Sequence, residues 1–333
     1  MNSPPPITDL AGVKSVFDRL MARLTCSVIG REEVIELVII ALLADGHVLL
    51  EDYPGSGKTT LAKALGDCLI DDKPDDNIVA LRRVQFTPDL LPSDVTGTTI
   101  FDPNTNRFFF RPGPIFAHIL LADEINRTSP KVQSALLEAM AEKQTTVDNK
   151  TRFLDELFFV IATQNPLDLA GTFPLPAAQL DRFLFKIRMT HISRRSELEL
   201  LMRLDEIKKG PPDDLLKVSR SEVVQARAAI ERLVHIAPPI REALVDIAIE
   251  TRNSDRSLQG VSSRSLVLMM PALQARAVAH GRNYVSAEDV KALAPHIFAH
   301  RLMIAPGGGS AEEVIAACCK RPLERLARST LRR

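Results

Sequence analysis

The sequence predicts an α/β fold, a mostly parallel sheet sandwiched by helices and followed by an all-helical second domain. Three observations carry that expectation. Apolar runs of strand length at residues 47–51, 78–86, 118–122 and 157–163 alternate with helical patterns at 59–70, 131–142 and 177–183. Beyond Ile187 the alternation stops, and helical patterns at 193–209, 220–234, 239–251, 263–280 and 287–301 follow one another without an intervening strand. The first apolar run leads through a glycine-punctuated turn into a helix, the arrangement that cradles phosphate. The division is expected near His191, giving domains 1–190 and 191–333.

Bulk composition fits two soluble globular domains. Of the 333 residues, 45% are apolar and 25% charged, enough for a large core under a solvated surface. Forty-two basic residues balance forty-two acidic ones, so no global field draws the molecule to nucleic acid or an anionic membrane. Cys26 and Cys68 stand alone and Cys318 and Cys319 are adjacent, which offers neither a C-x-x-C pair nor a zinc spacing and suits a reducing compartment. The first ten residues lack a basic flank and an apolar segment, and the apolar stretch at 34–44 is too short to span a bilayer. A cytoplasmic protein is expected.

Taken in order, residues 1–10 read as a lead-in and 13–24 as an amphipathic helix. The segment SVIGREEVIELVIIALLADG reads as a second helix closed by Gly46 at its C′ position. In the run HVLLEDYPGSGKTTLAKALGDCL, Gly55 and Gly57 let backbone N–H groups close on an anion, and the positive end of the following helix adds its dipole. The loop Pro54, Gly55, Ser56, Gly57, Lys58, Thr59 and Thr60 is therefore the expected ATP-phosphate cradle, with Lys58 on the β/γ-phosphates and the Thr59 hydroxyl on Mg2+. Asp52 replaces the glycine that opens the strict G-x-x-x-x-G-K-[ST] pattern, at a position that shapes entry to the loop. The acidic run at 71–76 reads as a solvated loop.

The run ILLADE delivers Asp123 and Glu124 to the C-terminal end of an apolar strand, where open α/β sheets place ligands. Asp123 can hold Mg2+ directly or through water, and Glu124 can orient and deprotonate a water. The strand LFFVIATQNP ends at Asn165, which either holds a lytic water or γ-phosphate oxygen or simply opens a turn with Pro166. Arg182 ends a short helix and Arg264 opens a later one. Ser286 with Asp289 announces the helix at 287, and Pro271 predicts a kink in the one before it.

That order of segments resembles the AAA+ ATPases, and FTPDLLPSDVTG, ILLADEINR, QSALLEAM, FFVIATQNP and LPAAQLDRF resemble the MoxR family over about residues 28–301. The resemblance implies an AAA+ P-loop domain with a C-terminal helical lid. It implies that Asn165 is sensor 1, Arg182 an arginine finger acting on a neighbouring subunit's ATP, and Arg264 sensor 2 acting from the lid. Ile29 and Gly30 match the stretch that packs adenine, and residues 95–112 and 144–153 match hairpin insertions that face a ring pore. Tyr53 stands where a smaller apolar residue is commoner, and the chain diverges beyond Ala305. The family implies an ATP- and Mg2+-dependent homo-oligomer, a hexameric ring, that remodels or activates a protein client or matures its metal centre with a von Willebrand A domain partner. Two rival readings differ in class. A nucleic-acid motor related to the MCM helicases is disfavoured by the neutral charge. A module binding ATP without hydrolysis is disfavoured by Glu124, Asn165 and Arg182, which mere binding does not need. His296 and His300 share a helical face but lack the glutamate of H-E-x-x-H, and the basic tail 320–333 lacks aromatic residues for stacking bases and reads as an amphipathic helix.

Overall fold

In the computed structural model, residues 6–51, 56–73, 75, 77–166, 171–212 and 214–330 are described. The chain opens with α1 (Leu10–Ser27) and α2 (Glu32–Leu43) and enters the sheet at β1 (Val48–Glu51). Next come α3 (Lys58–Cys68), β2 (Leu69–Ile70), β3 (Val79–Gln85), α4 (Pro92–Thr96), β4 (Gly97–Asp102), β5 (Arg107–Pro112) and β6 (Ala117–Asp123). The sheet is completed through α5 (Pro130–Glu142), β7 (Gln144–Val147), β8 (Lys150–Phe153), β9 (Phe159–Gln164), α6 (Ala177–Leu180) and β10 (Phe185–Arg188). The remainder is α7 (Arg194–Met202), α8 (Leu204–Lys209), β11 (Val218–Ser219), α9 (Arg220–Leu233), α10 (Pro238–Arg252), β12 (Ser257–Gln259), α11 (Ser263–Ala279), α12 (Ala287–Phe298), β13 (Met303–Ile304) and α13 (Ala311–Thr330).

Five strands pair in parallel in the order β10-β1-β9-β6-β3. Their apolar residues alternate between two cores, as a sheet covered on both faces requires. Val48, Leu50, Ile119 and Leu121 face one core with α1, α2 and α3, while Leu49, Leu120 and Ala122 face the other with α5. The first core continues without a break into α9, α10, α11 and α12, so the helical region is packed onto the sheet domain.

Several expectations need correction. Strand β10 escaped the sequence reading, because FKIR carries two cations and follows directly on a helix that ends at Leu180 instead of Phe183. The C′ residue of α2 is Asp45 (φ 54), not Gly46, and the Gly46 N–H closes the turn by donating to Ala41 O at 2.9 Å. The region after His191 is not purely helical, since β11 pairs with β2 and β12 with β13. The 193–209 segment is two helices. The acidic loop is partly engaged: Asp71 lies 3.4 Å from His118, and Asp72 caps α9 by accepting the Ser221 N–H at 3.1 Å.

Both hairpins form where expected. In β4–β5, Asp102 opposes Arg107, and β7–β8 turns through Asp148 and Asn149, both left-handed. Phe108 on the first and Phe153 on the second are 73% and 75% exposed. Ser286 caps α12 through Asp289, whose carboxylate accepts its N–H at 2.8 Å. The C-terminal helix α13 buries Val314, Ile315, Cys318, Cys319 and Leu326 on one face. No described helix is long and apolar enough to cross a membrane.

Candidate nucleotide-binding site

The C-terminal edge of the sheet collects the residues singled out for phosphate chemistry. Strand β1 ends at Glu51, and α3 begins at Lys58 with Gly57 as its N-cap. Residues 52–55, including Asp52, Tyr53 and the cradle residues Pro54 and Gly55, lie outside the described residues. Gly57 has φ +96, a conformation any Cβ would strain, which explains a glycine at the last turn before the helix. Ser56, Lys58 and Thr59 are half-buried and Thr60 is exposed. No acidic residue occupies the first turn of α3, so its positive end is left for an anion.

Ile29 is buried, and Gly30 (φ +68) lies so close to α7 that a Cβ would come within 2.5 Å of Ser196 Cβ. Buried Arg31, next in sequence, reaches within 3.5 Å of the Ser56 carbonyl with Nη2 and links this segment to the phosphate turn.

Strand β6 brings Asp123 and Glu124 to the same edge. Glu124 is left-handed (φ 58, ψ 49), which costs about 1–2 kcal/mol for a residue with a Cβ. Two bonds offset that strain: its N–H donates to Thr163 Oγ1 at 2.8 Å, and its carbonyl accepts the Arg127 N–H at 2.9 Å. The carboxylate accepts from Gln85 Nε2 at 2.7 Å and pairs with Arg127 Nε at 3.0 Å. Asp123 Oδ1 accepts the Thr163 hydroxyl proton at 2.7 Å, and Oδ2 pairs with Arg83 Nη2 at 2.8 Å. Asn165 follows β9 directly and is buried, and its carbonyl accepts from Asn126 Nδ2 at 3.3 Å. Gln133, fully buried on α5, donates to the carbonyls of Ile125, Thr128 and Phe173, pinning the turn after Glu124 to the segment after Asn165. Sequence reading missed Arg31, Arg83, Gln85, Gln133 and Thr163. Several of their contacts join residues about forty apart on adjoining elements, and no local motif marks them.

Arg182 and Arg264 lie elsewhere. Phe185, the first residue of β10, is in register with Val48, the first of β1, and the Leu184 N–H donates to His47 O at 2.8 Å. Residues 181–184 therefore stand at the N-terminal edge of the sheet, one strand length, about 10 Å, from the edge where the phosphate turn departs. There Arg182 Nη1 donates to Leu137 O at 2.9 Å. Arg264, in the first turn of α11 and 61% exposed, pairs with Asp181 at 3.4 Å. Arg301 donates from Nε to the same carboxylate at 2.7 Å. Arg264 is thus held against Asp181, the neighbour of Arg182 in sequence, at the sheet edge opposite Asp123 and Glu124.

A five-stranded parallel sheet flanked by helices, with two acids and a buried asparagine at its C-terminal edge and a helical region packed onto it, fits the AAA+ ATPase class. Residues 47–185 match the family described as ATPase family associated with various cellular activities (AAA), and residues 249–317 match the AAA lid domain. The chain is 46% identical to the uncharacterized protein YeaC of Bacillus subtilis (strain 168) over 84% of each chain. It is 34% identical to Chaperone MoxR1 of Mycobacterium tuberculosis over 89% of this chain and 78% of that protein, and 31% identical to Protein MoxR of Methylorubrum extorquens over 90% of each. A crystal structure from Cytophaga hutchinsonii, provisionally assigned as an ATPase, superposes with a TM-score of 0.82 at 32% identity, covering 94% of this chain and 96% of its own. The chain belongs to the MoxR family of AAA+ ATPases.

Proposed function

We propose that this protein hydrolyses ATP in a ring of identical subunits and uses the cycle to remodel or activate a protein client. The observation carrying the reading is the convergence of Lys58 and Thr59 at the head of α3 with Asp123 and Glu124 at the end of β6. Lys58 binds the β/γ-phosphates, Glu124 orients and deprotonates the attacking water, and Asn165 holds that water or a γ-phosphate oxygen. Ile29 and Gly30 pack the adenine. The hydroxyl of Thr59 and the carboxylate of Asp123 are hard oxygen donors that fit Mg2+, which is commonly bound by one or two protein oxygens with the substrate phosphates. When bound, Mg2+ neutralises charge on those phosphates.

Arg182 serves a neighbouring subunit's ATP, and Arg264, paired to the adjoining Asp181, stands at the same interface. A hexamer, a von Willebrand A domain partner and maturation of a client's metal centre are proposed from the MoxR resemblance, with the domain division near His191. A cytoplasmic location accords with four free cysteines, among them Cys68 and Cys319, whose thiols burial pushes up to about 11 and about 12, leaving them unreactive.

Parallel binding and turnover assays test the reading. Lys58→Ala is expected to weaken ATP binding. Glu124→Gln is expected to bind ATP normally while kcat falls by about 10²–10⁴-fold, the contribution of a positioned base. A Glu124→Gln protein that kept more than about a tenth of wild-type turnover would remove the base from the scheme.

A further inference from the structure

Strand β9 is a buried run, and at position 163 it carries a threonine where valine would fill the same volume. Its side chain is fully buried, so its hydroxyl must find partners inside the protein. It has two, and both belong to the proposed hydrolytic pair. An amide N–H can only donate, so the Glu124 N–H at 2.8 Å takes a lone pair of Thr163 Oγ1 and leaves the hydroxyl proton for Asp123 Oδ1 at 2.7 Å. One oxygen therefore fixes the rotation of the Asp123 carboxylate and the backbone turn that aims Glu124. With Oδ1 occupied, Oδ2, now paired with Arg83, is the Asp123 oxygen left to face a cation.

We propose that Thr163 is a positioning residue for hydrolysis: its hydroxyl holds Asp123 in the orientation that accepts Mg2+ and Glu124 in the orientation that meets water. The inference rests on the ATPase reading above and extends it to a residue that touches neither nucleotide nor metal. Because Asn165 directly follows β9, the Thr163 bridge ties the strand that carries the proposed sensor to both acids.

Thr163→Val keeps the shape and deletes both bonds, Thr163→Ser keeps the hydroxyl and deletes a methyl, and Thr163→Ala deletes both, so the comparison does not hang on the folding of one variant. Two quantities are read with a fluorescent ATP analogue and a phosphate-release assay: the factor by which Mg2+ tightens analogue binding, and kcat. Valine and alanine are expected to leave Mg2+-free affinity within about twofold while reducing the Mg2+ factor and kcat by about 10–100-fold, the usual cost of losing an outer partner of a metal-ligand carboxylate. Serine is expected within about threefold of wild type. Serine as damaged as valine, or valine with an unchanged Mg2+ factor and kcat, overturns the inference. A wild-type protein that releases no phosphate instead overturns the ATPase reading itself, and the two failures are told apart in the same plate.

Discussion

The two edges of the parallel sheet differ in what they can do alone. The C-terminal edge holds the head of α3, two acids and Asn165, the residues proposed to bind ATP and activate a water, and there Arg83 pairs with Asp123 and Arg127 with Glu124. The N-terminal edge holds Arg264, paired with Asp181, and Arg182, which donates to Leu137 O. On the reading proposed above, each edge is half of a site. Because β1 and β10 run parallel in fixed register, residues 181–184 stand one strand length, about 10 Å, from the edge where α3 is reached. In the ring proposed above, one subunit's N-terminal edge stacks on the next subunit's C-terminal edge, a heterologous contact.

If that division is right, Arg182→Ala is the most damaging change on the N-terminal edge. Its kcat is expected to fall by about 10³-fold or more with ATP affinity unchanged, as for arginine fingers, and Arg264→Ala by of the order of 10²-fold. Loss of nucleotide affinity in either variant, measured by titration calorimetry, would place the arginine at its own chain's ATP.

The hairpins sharpen the comparison because they belong to neither edge chemistry. Removal of the turn at 102–106 takes away a segment that touches no phosphate, so basal turnover is expected to stay within about threefold while stimulation by a protein partner is lost. Phe101, Phe108 and Phe109 on that hairpin are exposed aromatic area suited to such a partner. Equal loss of basal and stimulated activity would make the hairpin part of the ring framework.

The smallest effects come from two buried histidines with opposite signs. Burial lowers the pKa of His47 to about 4, so the stability it contributes is present above about pH 6.5 and is lost as pH falls, roughly 2 kcal/mol by pH 5. Burial alone would lower His118 too, but Asp155 at 3.2 Å and Asp71 at 3.4 Å override it and raise its pKa. The His118 contribution is present below the ordinary histidine pKa and is lost as pH rises through its raised value. Asp155, which burial would raise, is held at about 2 by His118, the Leu157 N–H and Arg220, so its contribution survives until the pH falls below the ordinary carboxylate range. Melting temperatures between pH 5 and 8 are expected to show His47→Gln flattening the acid side and His118→Asn the neutral-to-basic side.

Most of the C-terminal edge was legible in the sequence because its residues lie on contiguous motifs. The phosphate turn, ILLADE and FFVIATQNP each name their strand and their functional tip within ten residues. What could not be read is contact between motifs: Thr163 with Asp123, Gln85 with Glu124, Arg264 with Asp181. Strand β10 was lost for a related reason, since its four residues are recognisable as a strand only through the pairing with β1. The two-residue pair β2–β11 joins positions some 150 apart, and neither half shows a periodicity.

The central claim, one active site built from opposite edges of two chains, is tested most directly by mixing two inactive proteins. Arg182→Ala retains Glu124, and Glu124→Gln retains Arg182. After dissociation and reassembly in equal amounts, about a quarter of interfaces pair an intact base with an intact finger, if subunits mix at random around a closed ring. Phosphate release is predicted to rise from near zero in either parent to about that fraction of wild type. Mixed rings confirmed by mass spectrometry that stay inactive would contradict the account and place both residues at the ATP of a single chain.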